Sequence, residues 1–195
     1  MSITSFLHSR GFESFEGYTQ VTQHVEDLIN LTKKENLNVM EIGFNAGHSA
    51  EIFLKNNNTL QLTSFDIEGW NYVLTAKEYI DDTYINRHTL IIGDSRITIP
   101  KYVNSNKDNK FDVIFIDGGN DYDIVKADIT NCFHLAHKDT IIIIDDTMYT
   151  KEWEAPWTIG PTTVWKEFLE NNKVIELGRK DYEPGIGMTW GKYII

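Results

Sequence analysis

The sequence predicts an α/β fold of the doubly wound kind, in which a mainly parallel sheet is covered by helices on both faces. Three observations predict it. Apolar runs of strand length alternate along the chain with amphipathic stretches of helical period. The runs are continuous rather than alternating, the isoleucines at 141–144 being the extreme case, as a strand buried on both faces requires. Each run from the first to the fifth ends in an acid or a glycine turn, at the carboxyl edge where such sheets bind ligands.

The first helix is read over TQVTQHVEDLINLTKKEN, residues 19–36, with Val21, Val25, Leu28 and Leu31 three and four apart. A strand at 39–42 leads through a glycine turn into a helix from about His48 to Lys55. Strand 60–65 ends at Asp66 and is followed by a helix over 72–80. Strand 89–92 ends in GDS, and the polar KYVNSNKDNK, residues 101–110, reads as a loop. Strand 111–116 ends in IDGG, a helix covers 122–135, and strand 140–144 ends in Asp145 and Asp146. The aromatic, Pro-containing YTKEWEAPWTIGPTT reads as a loop and a candidate substrate lid, with Trp153 and Trp157 as a substrate wall. A short helix at 164–170 and strands at 174–177 and over MTWGKYII complete the chain. These last strands are too close for a helical crossover, so they are expected to pair antiparallel around a long loop containing Pro184 and Gly185.

The chain has 195 residues, 41% of them hydrophobic, enough for one domain with a substantial core. One domain over 1–195 is expected, with a cap and helix over 1–36 and the core over 37–195. A net charge of -11, with no stripe of Lys and Arg, argues against a nucleic-acid or anionic-membrane partner. Cys132, the single cysteine, lies in a helical pattern and reads as a buried thiol. No stretch approaches the roughly 18 apolar residues of a membrane span, and the start lacks a signal peptide, so a cytoplasmic protein is expected. A homodimer is the default assembly.

MEIGFNAGHSA, residues 40–50, is a strand, a turn and a helix start. Gly43 permits the tight turn, Gly47 opens the helix where a side chain would collide, and the helix start at His48 and Ser49 offers free N–H groups. A dinucleotide fingerprint would be G-x-G-x-x-G, but Asn45 stands at its second glycine and Glu41 at the strand end would repel a pyrophosphate. An NAD-linked dehydrogenase is thereby disfavoured, and the pocket is expected to take a positively charged ligand.

E-x-G-x-x-x-G from Glu41 to Gly47 resembles the first motif of class I S-adenosylmethionine-dependent methyltransferases, and the likeness continues strand by strand from about Val39 to Ile195. The resemblance implies a Rossmann-like sheet of seven strands with an antiparallel last strand. It implies that Asp66 holds the cofactor's ribose hydroxyls, that Asp94 and Ser95 contact adenine, and that Glu41, Gly43, Asn45, Gly47, His48, Ser49 and Asp117 complete the cofactor site. VIFIDGGNDYDIVKAD followed by IIIIDDTM is similar to the metal-dependent sugar O-methyltransferases of the macrocin and novobiocin types, and more distantly to catechol O-methyltransferase. That likeness implies magnesium, or another divalent cation, on Asp117, Asp145 and Asp146, and a hydroxyl of a sugar or glycan precursor as acceptor. Three carboxylates at neighbouring strand ends would also repel one another unless a cation joined them.

This chain departs from the family in one respect: Asn120 stands where related sequences carry His, and Gly119 where the novobiocin type has an acid. No base carries over, which leaves Asp121, Asp145 or a metal-bound water, and keeps open a metal-independent or non-catalytic S-adenosylmethionine-binding protein. His48 is expected to be neutral and hydrogen-bonded near the cofactor, and His134 and His137 to serve a helix end or solvent. Phe6, Phe12, Phe15 and Tyr18 are expected to fold over the opening, where Arg10 would meet an anionic group such as a nucleotide-sugar phosphate.

Overall fold

A computed structural model describes residues 1–15 and 21–195. The elements run α1 (Ile3–Ser9), α2 (Thr22–Leu31), β1 (Asn38–Ile42), α3 (His48–Asn56), β2 (Gln61–Asp66), α4 (Val73–Thr83), β3 (His88–Ile92), α5 (Ser95–Ser105), β4 (Phe111–Ile116), α6 (Tyr122–Cys132), β5 (Ala136–Asp145), α7 (Ile159–Glu170), β6 (Val174–Glu183) and β7 (Ile186–Tyr193). The strands form one seven-stranded sheet in the order β3-β2-β1-β4-β5-β7-β6. The first five are parallel, and β7 runs antiparallel to both β5 and β6. Consecutive strands β4 and β5 are neighbours, pairing Ile116 with Ile144, which brings their carboxyl ends together as expected.

The isoleucine run serves two cores. Successive residues of a strand face opposite sides, so Ile143 is buried beneath α1–α4 with Val39, Phe53 and Phe115. Ile142 and Ile144 are buried on the other side with Met40, Ile114 and Trp165, against α5–α7. Fully burying each such side chain contributes roughly 2 kcal/mol, which is why no polar residue interrupts the run.

The structure differs from the sequence reading where tertiary contacts overrule local composition. Helix α1 was not expected; Ile3 and Leu7 are fully buried beneath it, and Ile3 occupies the space that a side chain at Gly47 would need. Helix α5 takes up half of the predicted 101–110 loop, because Asp94 caps it by accepting the Arg96 N–H and Ile99 anchors it in the core. Helix α7 starts at Ile159 rather than 164: Pro161 sits in its first turn, where no intrahelical donor is needed. The long hairpin loop is instead two residues, Pro184 and Gly185, with Gly185 at φ +78°. The outer half of β6 stays extended because Asp181 accepts the N–H groups of Tyr149 and Thr150, and the Tyr182 hydroxyl donates to Asp27. His137 lies in β5, 3.2 Å from Asp112, rather than at a helix end. Tyr18 and the first residues of the predicted 19–36 helix lie outside the described residues. Among the described residues no helix is long and apolar enough to cross a membrane.

Candidate active site

The carboxyl ends of β1 to β5 open onto one cavity of about 740 Å³. At one end it is built by the turns after β1, β2 and β3. Gly43 adopts φ +96°, and a Cβ there would lie 1.8 Å from the Asp117 carbonyl oxygen, so only glycine lets the β1 turn pass beneath β4. Asn45, itself in the left-handed region at φ +49°, donates its N–H to Asp66 Oδ2 at 2.7 Å, and Glu68 donates to Oδ1 at 2.6 Å. Two backbone donors therefore fix the Asp66 carboxylate at the rim, with lone pairs left for a ligand. Asp94 is held by Arg96 through Nε and Nη2, which keeps its carboxyl below the usual range. His48, bonded to Thr4, is held neutral by burial, which lowers its pKa to about 4.

At the other end stand three aspartates. Asp117 follows β4, and burial first, then Asp145, Asp146 and Glu41, hold its carboxyl well above the usual range. Asp146 is raised for the same reasons, burial and then Asp145, although Asn120 donates to its Oδ2 at 2.8 Å. Its φ of +57° turns the chain so that the side chains of both Asp145 and Asp146 line one cavity, a conformation aspartate tolerates. Asp145 accepts from His24 Nε2 at 3.0 Å. Burial lowers the pKa of His24, but Asp145, Asp146 and Asp27 outweigh it and the net shift is upward.

Of the residues expected from sequence, Gly43, Asn45, His48, Ser49, Asp66, Asp94, Ser95, Asp117, Asp145 and Asp146 line the cavity. Glu41 does not. It is fully buried beneath the turn, each oxygen accepting a serine hydroxyl (Ser49 to Oε1, Ser64 to Oε2), and burial raises its pKa to about 7. Gly47 is also absent from the lining and makes room for α1. Asp121 stands exposed at the N-cap position of α6, without a side-chain capping bond and outside the cavity, so it is not brought to the aspartates. Arg10 sits on the surface against Glu78 and the Phe6 ring, away from any anion site at the opening. Trp157 lines the cavity, and Trp165 belongs to the core.

Sequence reading missed the wall that α2 supplies. His24, Val25 and Leu28 line the cavity, and the one signal was a histidine four residues before Leu28 on the apolar face of an amphipathic helix. Arg96 lines the opposite end.

The chemistry of the donor set suits a hard divalent cation: three carboxylates line the same end of the cavity without a lysine or arginine among them, and Asp145 and Asp146 each keep one oxygen uncommitted to His24 or Asn120. Among the described residues, however, no three His, Cys, Asp or Glu side chains are grouped closely enough to hold an ion as they stand.

Five parallel strands flanked by an antiparallel one, with acids at the ends of the second and third strands and a glycine turn after the first, define the fold of the class I S-adenosylmethionine-dependent methyltransferases. Residues 40–147 match the model of the methyltransferase domain family, more than half of the chain, and the protein belongs to that family. Among solved structures it is similar to an O-methyltransferase from Bacillus cereus in complex with SAH (15% identity, TM-score 0.76, 97% of this chain and 90% of that one). It is also similar to TomG, an O-methyltransferase of tomaymycin synthesis from Streptomyces achromogenes, in complex with SAM (13%, 0.72, 98% and 87%). A TDP-rhamnose 3'-O-methyltransferase of calicheamicin biosynthesis aligns at 17% identity and TM-score 0.65, covering 89% of this chain and 78% of that one. At these identities the likeness is one of fold. No curated protein matches the chain.

Proposed function

We propose that the protein transfers the methyl group of S-adenosylmethionine to a hydroxyl of a small acceptor, a sugar. The observation that carries this is the single cavity with two chemically different ends. Asp66, with both oxygens oriented by backbone donors, would accept from the vicinal ribose hydroxyls, and Asp94 and Ser95, which line the same end, would contact adenine. The aspartate end lies across the same cavity, where an acceptor hydroxyl would meet the sulfonium methyl in line, and alignment of that kind supplies much of the rate.

Asp117, Asp145 and Asp146 would hold a magnesium ion. Bound there, it would orient neighbouring acceptor oxygens and lower the pKa of the hydroxyl. With its Nε2–H donated to Asp145, His24 would take the hydroxyl proton on its other ring nitrogen, Nδ1, and Asp145 would stabilise the imidazolium so formed, while Asn120 donates to Asp146. A second reading, transfer without metal, is favoured by one observation: His24 already occupies an oxygen of Asp145, as a base and its orienting carboxylate would.

Calorimetric titration tests the first step. S-adenosylhomocysteine should bind in the micromolar range and NAD should not bind; saturable NAD binding would refute the reading. EDTA dialysis followed by magnesium add-back separates the two versions, since only the metal-assisted one loses and regains turnover.

A further inference from the structure

Asp128, on α6, is a buried carboxylate that neither the sheet nor the aspartate end of the cavity employs. It has no solvent exposure, and among the described residues neither of its oxygens has a hydrogen-bond partner of ordinary geometry. An unpartnered buried carboxyl costs stability. Asp128 incurs that cost directly beneath the floor of the cofactor end, where a Cβ at Gly118, a residue of the cavity lining, would lie 3.7 Å from its Oδ2. Burial raises its pKa to about 6, and the group that opposes this first is the hydroxyl of Ser95. Ser95 is the first residue of α5 and itself lines the cavity. Asp94 raises the Asp128 carboxyl further, and Arg96 lowers it.

Asp94, the other acidic or hydroxyl side chain at the α5 start, is already taken. Its Oδ1 accepts from the Arg96 backbone N–H and Nε, and its Oδ2 from Nε and Nη2, at 2.6 to 3.1 Å. That fills the lone-pair capacity of a carboxylate. At this helix start the Ser95 hydroxyl is then the acceptor left to meet a base. A hydroxyl offers one donor and two acceptor lone pairs, and it rotates to suit its neighbour. Beside a buried carboxylate its hydrogen turns inward, and its lone pairs are left to the cavity.

Accepting the S-adenosylmethionine reading above, on which this rests, we infer that Asp128 is a positioning residue for base selection. By drawing the Ser95 hydrogen toward itself, it makes Ser95 an acceptor toward the cofactor and so selects a 6-aminopurine over a 6-oxopurine. Adenine carries at C6 an amino group that donates to such an oxygen. Hypoxanthine carries a carbonyl there, and two acceptors would face each other across the contact. Asp128 does not line the cavity and acts only through Ser95.

The test titrates the full chain calorimetrically with S-adenosylhomocysteine and with S-inosylhomocysteine, which differ in the 6-amino against the 6-oxo group of the base. The parent should bind the first at least about tenfold more tightly, the worth of one hydrogen bond gained and one mismatch avoided. Asp128→Ala and Ser95→Ala should each bring that ratio below about threefold, and the double variant should do no more than either alone, because the two residues act in series. Asp128→Asn keeps an oxygen that accepts from Ser95 and should hold the ratio within about threefold of the parent's. Equal binding of the two ligands by the parent overturns the inference. So does an Asp128→Ala variant that weakens both ligands alike and keeps the ratio, as a merely structural role would. Should Asp128→Ala fail to fold, Ser95→Ala and Asp128→Asn decide: a ratio left intact by the first, or abolished by the second, overturns the inference equally. In each of these outcomes the parent still binds S-adenosylhomocysteine and the methyltransferase reading stands; failure of the parent to bind it removes that reading and the inference with it.

Discussion

Replacing Glu41 with glutamine should stabilise the protein at alkaline pH and leave it nearly unchanged at pH 5. Glu41 is fully buried, and its pKa is raised from 4.5 to about 7 by burial, which the hydroxyls of Ser49 and Ser64 only partly offset. Because the folded pKa lies above the unfolded one, the folded state holds the proton more tightly between those values, and stability falls as pH rises through that window. Each unit is worth about 1.4 kcal/mol, so ionising Glu41 costs the fold on the order of 3 kcal/mol above pH 7 and little below pH 4.5. Glutamine removes the charge and keeps the shape: its carbonyl accepts from one serine and its amide donates to the other, whose hydroxyl rotates to accept. Allowing for one imperfect contact, the variant should gain about 1 to 3 kcal/mol at pH 8. Urea denaturation of both proteins at pH 5 and pH 8, compared at equal m, reads this directly. A variant that is no more stable than the parent at pH 8, or that gains as much at pH 5, refutes the reasoning. Since Glu41 does not reach the cavity, S-adenosylhomocysteine affinity should change by less than about threefold; a hundredfold loss would place this carboxylate against the cofactor.

Gly43→Ala should be among the most damaging single changes, because the new Cβ would lie 1.8 Å from the Asp117 carbonyl at a φ of +96°; a loss of 3 kcal/mol or more, on the order of the largest point-mutant effects, should appear as a collapse of Tm or of soluble yield. His24→Ala should lower kcat by about 100-fold or more while S-adenosylhomocysteine affinity holds, as loss of a proton acceptor does, and unchanged kcat would remove His24 from the chemistry. Asp66→Ala should weaken S-adenosylhomocysteine about 10- to 100-fold, the worth of charge-assisted hydrogen bonds, measured by calorimetry. Asp121→Ala should leave kcat within about twofold of the parent, since its side chain is exposed at a helix start outside the cavity and makes no capping hydrogen bond there.

The parts of this protein that depend on local pattern were legible in the sequence. The sheet's first five strands follow from continuous apolar runs, and the cofactor end of the cavity follows from what each run stops on, because a strand's end lies at the same edge as its parallel neighbours' ends. Gly43 and Asp66 could be placed by that logic alone. The parts decided by distant packing could not. Glu41 reads as a ligand-facing acid because it ends a strand, yet the serines that bury it come from the α3 start and from β2, 8 and 23 positions away. His24 lies 121 positions from Asp145, on a cap helix whose docking no period reveals.

The acceptor end differs from the cofactor end for this reason. The cofactor end is made by turns that follow strands, and strand order constrains them. The acceptor end is closed by α2, by the 146–158 segment and by the β6–β7 turn, three pieces joined by contacts of long sequence separation: Lys180 and Tyr182 on Asp27, Tyr149 and Thr150 on Asp181, and Gly185 on Trp153 and Trp157. Each of those bonds is individually worth only about 1 kcal/mol, so together they position the wall without making it as rigid as the sheet beneath it. Such a wall can be exchanged for another without disturbing the cofactor turns, whose geometry is set by Gly43 beneath β4. Under the proposed function, acceptor choice would rest on this wall, whose residues a strand-end motif does not contain.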